Sequence, residues 1–531
     1  MAAALVTLTQ KAGELGLNLN LAKCELIATA DTAPGSLPNL FPDALLRDLQ
    51  PSSPTFGHSR VLLGGSFEIL GAPIGTTAFC AAHTASRVAK SLPTLEAIAD
   101  LDDPQVALRP QRRCQGFAKI SYSTRVAPCT DHQSELMTFD AAQRETFASY
   151  LAWSPNDAQW GQATRGLWCG GLGLRSAALH ASSAYMASRL ATGKLCRELD
   201  PNHTWEGAFA DSPLSKTLQV FNAAVSDADR LDLTSEPDGP TRQQTLSQAL
   251  DRRAHDEFLA SLNTSDRRAL MSELQPGASA FLEAIPSKEH NLAWEPTEFA
   301  TEVRSRLLAN VFPEESWCPA CDAVLDCKGR HCGVCAANGD RTRRHHGARN
   351  AVGRFAAAAG FHPELEKPGL LPPSPDQPNA DRRRPADVYL ASWQNGSPAA
   401  LDLAISSPHR QDAPPEATSV PGAAAQAYEG RKRTHLNTAL DCANQGLAFV
   451  PIVGEPSGGW GPSAMCTFKA FARAQSVATG QDAAQILAAE LQQLCTVVRR
   501  ANARAVLSRG CDLRALPGSA AGDAFALLGG E

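Results

Sequence analysis

Asp387 and Asp402 stand on two short runs, ADVYLASW and AALDLAIS, that alternate in β fashion and otherwise carry valine, leucine, alanine and isoleucine. Gln394-Asn395-Gly396-Ser397 joins them, and Asn-Gly is a strong hairpin signal because both residues accept positive φ. With Asn395 and Gly396 as the loop, Asp402 lies across from Tyr389 and Asp387 sits two residues along. Both carboxylates then point to one face as diagonal neighbours, roughly 7–8 Å apart at the backbone. A slip of one residue would put them on opposite faces. Carboxylates on an apolar sheet are costly to bury unpaired, and hard oxygen ligands in such a place suit Mg²⁺ or Mn²⁺. Such an ion lowers the pKa of bound water and offsets charge on a phosphate under attack. In AAAQAYEGRKRTHLNTAL, helical spacing puts Tyr428, Lys432 and His435 on one face, from which Lys432 can reach a scissile phosphate. Glu429 and Arg433 form an i,i+4 pair on the neighbouring face.

A second constellation precedes the hairpin. Cys318-Pro-Ala-Cys321 is followed by His331 and Cys335, a donor set suited to one tetrahedral, structural zinc. Cys327 and Cys332 are alternative thiols, and His345 or His346 can compete with His331. So short and polar a segment has little core of its own, which favours metal as its organiser. Next comes DRTRRHHGAR, residues 340–349, where Arg341, Arg343, Arg344, His345 and Arg349 make a phosphate-contacting surface plausible.

The elements that must position these residues are read from composition. The 531-residue chain is long enough for several cores, and its formal net charge of −6 makes any nucleic-acid surface local. Five of its 15 cysteines fall between 318 and 335, and the others are scattered, a pattern expected of a metal site in a reducing, intracellular compartment, nuclear or cytoplasmic. No run of 18 apolar residues suggests a membrane span, and the opening MAAALVTLTQKAGELGLNLN lacks the charged start of a signal peptide. The expected architecture is multidomain, mainly α with α/β. Residues 1–185 mix short strands and helices, 186–312 form a helical connector, 313–346 a CCHC zinc knuckle, 347–510 an α/β domain with a mixed central sheet, and 511–531 a flexible tail.

Taken together, C-P-x-C with its H-x3-C, R-R-H, R-R-P-A-D-V, A-L-D-L-A-I and Y-E-x-R-K-R-x-H resemble the restriction-like endonuclease of non-LTR retrotransposons, a member of the PD-(D/E)XK nuclease superfamily. The resemblance covers roughly 313–475. It implies that Asp387 and Asp402 bind the catalytic metal, and that Lys432 stands in for a lysine usually two residues after the second acid, where this chain has Ala404. An acid on the first helix, often a further ligand, has its nearest candidates in Glu364 and Glu366. The N-terminal third resembles the end of a reverse transcriptase. GLNLNLAKCE resembles the segment after the polymerase active site, with Lys23 at the position of a lysine that assists proton transfer to pyrophosphate, which places it among the nucleic-acid-binding residues. FEILGAPIG matches the primer grip, and the stretch from there through GGLGLRSA matches the thumb. The aspartate pair that holds polymerase metals precedes Lys23 in that resemblance; no aspartate does here, so the polymerase core reads as incomplete. The resemblance thus implies nicking of target DNA, with element RNA as a second partner. The alternative is an inactive remnant that binds nucleic acid through the zinc knuckle and basic helix.

Overall fold

A computed structural model describes residues 2–21, 24, 26–27, 41, 46, 61–62, 66–237, 239, 241–371 and 385–510. About 60% of the chain is helical, with small sheets, so the mainly-α expectation holds. No described helix is long and apolar enough to cross a membrane. The chain divides into two compact units, each assembled from separated segments: Met1–Pro93, Ala118–Asp140 and Ala177–Leu250 in one; Thr94–Phe117, Ala141–Ser176 and Asp251–Glu531 in the other.

The first unit contains α1 (Ala2–Glu14), strands β1 (Phe67–Ile69) and β2 (Ala72–Ile74), α2 (Thr77–Ala89) and α3 (Ala177–Leu199). FEILGAPIG forms a hairpin whose turn residues, Leu70 and Gly71, both have positive φ. Tyr122 and Arg87 donate to the carbonyls of these two residues, 2.9 and 3.0 Å away. Met186 and Leu190 of α3 pack with Phe221, Leu246 and Leu250 into this unit's core. Lys23 lies outside the described residues.

In the second unit GGLGLRSA is a packing device. Leu172 and Leu174 enter a core with Trp153, Phe281, Phe299 and Val303. A Cβ on Gly171 would come within 2.2 Å of the Arg165 carbonyl, so only glycine lets the backbones approach this closely. Helix α4 (Pro296–Arg306) brings Glu302 and Arg306 into a buried ion network. Arg306 and Arg499 share Glu273, and Arg499 also donates to Glu302 at 2.9 Å. Burial pushes the Glu302 carboxyl up to about 7, against the pull of Arg499. The folded chain therefore binds more protons than the unfolded one between the ordinary carboxylate range and about pH 7, so this group's stabilising contribution is lost as pH rises through that window. Glu302→Gln should flatten that decline, read as urea midpoints from pH 5 to 8; an unchanged profile would remove Glu302 as its source.

The remainder of this unit is the zinc-type segment and an α/β layer. Strands β3 (Ser316–Trp317) and β4 (Val324–Leu325) pair antiparallel and lead into the short α5 (Arg330–Val334). Helix α6 (Asp340–Ala358) is followed by β5 (Glu364–Leu365), β6 (Val388–Leu390), β7 (Ala399–Ile405), α7 (Ala423–Thr434), β8 (Ala448–Gly454), α8 (Pro462–Thr479) and α9 (Ala483–Leu507). The basic stretch and the alanine-rich stretch are thus one helix, and residue 346 falls inside it. The sheet order is β8-β7-β6-β5, with β8 parallel to β7 and the others antiparallel, a mixed sheet as expected. Val352 and Phe355 of α6 and Phe468 and Phe471 of α8 pack with Leu401 and Ile452 of the sheet.

The hairpin differs from its expected register. Val388 pairs with Leu401 and Tyr389 with Ala400, so Asp402 falls opposite position 387 rather than Tyr389. The loop is longer than two residues: Trp393 N–H donates to the Ser397 carbonyl, and Asn395 and Gly396 both take positive φ within it. The displacement is two residues, an even number, so both carboxylates keep one face and come directly across from each other.

Candidate active site and metal centre

At the hairpin, the carboxyl of Asp387 accepts from two directions. His345 Nε2 of α6 lies 3.0 Å from Oδ1, and the Leu403 N–H of β7 donates to Oδ2 at 2.6 Å. Asp402 Oδ1 accepts from Lys432 Nζ of α7 at 2.8 Å. Three elements, α6, the β6–β7 hairpin and α7, therefore meet on one pair of acids. Burial alone would raise Asp387, but the hydrogen bond and charge of His345 and the Leu403 N–H hold it below the ordinary value. Burial raises Asp402 to about 6 in spite of Lys432, and neighbouring Asp387 adds to the rise. Adjacent carboxyls pushed apart in this way are what a shared divalent cation relieves.

The partners of the two acids, His345, Leu403 and Lys432, line an open cleft of about 640 Å³ together with Arg341, Thr342, Arg344, Arg410 and Tyr428. Gly333, Val334 and Ala336 of the cysteine segment contribute to its wall. The two acids are thus a pair of largely buried carboxylates with one histidine and one lysine against them. His435 is not on the Lys432 face: α7 ends at Thr434, where His435 turns extended and Leu436 and Asn437 take positive φ. Glu429 is buried and accepts the Ser463 N–H at 3.0 Å at the start of α8, a helix cap rather than a partner of the acids. Arg433 reaches the same Ser463 through its hydroxyl. Of the two candidate further acids, Glu366 pairs with Arg349 and Glu364 with Lys367.

The four expected zinc ligands do converge. One ligand atom from each of Cys318, Cys321, His331 and Cys335 lies within 4.8 Å of every other. Cys321 Sγ is 3.2 Å from His331 Nε2 and 3.6 Å from Cys335 Sγ. Locally, Cys318 N–H donates to the Ala323 carbonyl and Cys321 N–H to the Cys318 carbonyl, the tight turn a C-x2-C pair needs. Asp326 caps the approach to α5, accepting the N–H groups of Lys328, Arg330 and His331. Gly329 takes φ 68°, and a Cβ there would meet Val311 at 2.8 Å. Cys332 points instead into an apolar cluster with Val311, Phe312 and Val506, where burial pushes its thiol up to about 12. His345 and His346 are engaged at Asp387 and near Glu366. The geometry and donor chemistry fit zinc.

Arg509, which sequence reasoning missed, ties this site to α6. Its guanidinium donates to Asp340 at 2.8 Å and to the Ala505 carbonyl at 2.5 Å, and its charge lies near the thiols of Cys318 and Cys335. Burial would raise Cys318, but the Ala320 N–H and Arg509 outweigh it and bring the thiol down to about 6. No local signal could have found Arg509, which lies far along the chain at the end of α9.

The basic residues separate into different jobs. Arg341 and Arg343 are exposed, though Arg343 also pairs with Asp340 at 2.5 Å. Arg344 is buried, donating to Asn502 at 2.9 Å and to the Gly333 carbonyl at 2.6 Å, and burial lowers it to about 10. Arg344 is thus tied into the fold by these contacts, while lining the same cleft, and Arg349 is largely engaged by Glu366. Arg344→Ala should cost about 1–3 kcal/mol by orphaning its acceptors, read as a lower urea midpoint. Arg343→Ala should leave the midpoint within about 0.5 kcal/mol; equal losses would contradict this division.

No family model matches the chain, and no curated protein matches it.

Proposed function

We propose that the α6–β8 region is a metal-dependent DNA endonuclease of the kind carried by non-LTR retrotransposons, joined to a structural zinc segment and preceded by the end of a reverse transcriptase. The observation that carries this reading is the pairing of the two hairpin acids with side chains of two helices, Asp387 with His345 and Asp402 with Lys432, where both helical partners line one cleft. The surrounding order of helix, antiparallel strands, helix and parallel strand agrees with the expected α/β layer and its mixed sheet.

A bound Mg²⁺ or Mn²⁺ ion supplies charge neutralisation at the phosphate and activation of water. Asp387 and Asp402 are the residues that would hold that ion. Lys432, released from Asp402 as substrate enters, stabilises charge developing on the phosphate. His345 orients Asp387, and the Leu403 N–H fixes its other oxygen. The zinc segment forms part of the cleft wall, which supports its acting with the nuclease on one DNA substrate. The test is nicking of supercoiled plasmid by the full chain: open circles form with Mg²⁺ or Mn²⁺ and not with Ca²⁺ alone. DNA binding without nicking in any of these ions would instead favour the inactive binding remnant.

A further inference from the structure

We infer that Arg410 and Arg431, braced by Asp412, form a clamp for the phosphodiester backbone of DNA at the mouth of the catalytic cleft. This rests on the cleft being a nucleic-acid site, the reading given above. Arg410 lines the cleft together with Tyr428 and Lys432. The same Arg410 and Tyr428 also line a smaller adjoining recess whose other wall holds Asp412 and Arg431. The two hollows therefore share Ser407, Arg410 and Tyr428; Arg410 belongs to both, and Arg431 stands beside it in the smaller one.

Four contacts pre-organise this group. Arg410 pairs with Asp412 in bidentate fashion, at 2.9 and 2.7 Å. Arg431 pairs with the same carboxylate. The Arg410 guanidinium lies over the Tyr428 ring at 4.5 Å from its centroid, and that of Arg431 approaches the same ring at 6.0 Å. One carboxylate cannot neutralise two guanidiniums, so the group keeps a surplus positive charge. A guanidinium has five N–H donors, and the contacts to Asp412 leave several on each arginine for phosphate oxygens. Holding both side chains in place beforehand lowers the ordering cost of binding. Exposed Arg341 lines the same cleft, so a strand lying in it meets further positive charge.

The experiment measures the affinity of the full chain for a fluorescein-labelled 30-base-pair duplex by anisotropy over a range of KCl, without added divalent cation. A 30-nucleotide RNA hairpin is run alongside, and thermal melts confirm that each variant is folded. Arg410→Gln and Arg431→Gln should each reduce the slope of log K against log salt by about one on duplex DNA. Asp412→Asn should strengthen binding, since it frees charge, whereas a purely structural brace predicts no gain. Unchanged slopes in both folded arginine variants would overturn the clamp, as would slopes that change on RNA alone. Plasmid nicking is scored separately. A chain that does not nick but loses slope keeps the clamp and sinks the nuclease; a chain that nicks with unchanged slopes does the reverse.

Discussion

Asp402→Ala is expected to lower the single-turnover rate of Mg²⁺-dependent DNA cleavage by about 10³-fold or more, while DNA affinity stays the same or rises slightly. The asymmetry comes from the site. Asp402 is largely buried opposite Asp387, and its partner is Lys432. Removing it takes away half of the carboxylate pair, so cation binding suffers first. It also removes a negative charge from a surface meant to meet phosphate, so substrate binding loses nothing. Lys432→Ala should lower the rate by about 10²–10³-fold, the range for losing one preorganised charge-stabilising donor. Gel quantification of labelled strand ends under single-turnover conditions measures both. An Asp402 variant that cleaves like the parent would reduce the hairpin acids to ordinary sheet residues.

Cys318→Ser is expected to have the second large effect, loss of about one zinc per chain together with a fall in thermal midpoint of at least ~5 °C. The stability loss exceeds what a surface knuckle would give because the site is bolted to the rest of its unit. Arg509, whose charge lies near the Cys318 and Cys335 thiols, pairs with Asp340 in the first turn of α6, and Arg344 of that helix holds the Gly333 carbonyl. Helix α6 also carries His345 to Asp387, so cleavage should fall along with zinc content. Cys332→Ala makes the contrast, since that thiol sits in the apolar cluster outside the tetrad, and should keep its zinc. Elemental analysis with parallel melting curves decides between them. Zinc retained by Cys318→Ser would reassign the ligands.

How much of this was legible in the sequence depends on the range of the interaction. The C-x2-C turn, the Asn-Gly loop and the i,i+4 spacing of Tyr428 and Lys432 are local, and each sets its geometry within a few residues. The shared face of Asp387 and Asp402 survived an error in loop length because strand geometry preserves parity, not register. The end of α7 was not legible: nothing in RTHLNT marks the positive φ of Leu436, so His435 was assigned to a helix it does not enter. Arginine roles were not legible either. Arg343 and Arg344 look alike in sequence, yet one faces solvent and the other fills a polar gap against Asn502, a contact set by packing of α6 on α9. Composition likewise divides the chain into consecutive blocks, whereas the two compact units interleave segments far apart in sequence.

The central claim is that Asp387 and Asp402 hold one divalent cation between them. Mn²⁺ binding, followed through the electron paramagnetic resonance signal of free Mn²⁺ during titration of the zinc-loaded chain, tests it most directly. The parent should take up about one Mn²⁺ that the folded Asp387→Asn, Asp402→Asn double variant does not. Equal uptake by parent and variant, at the same stoichiometry and affinity, would contradict it.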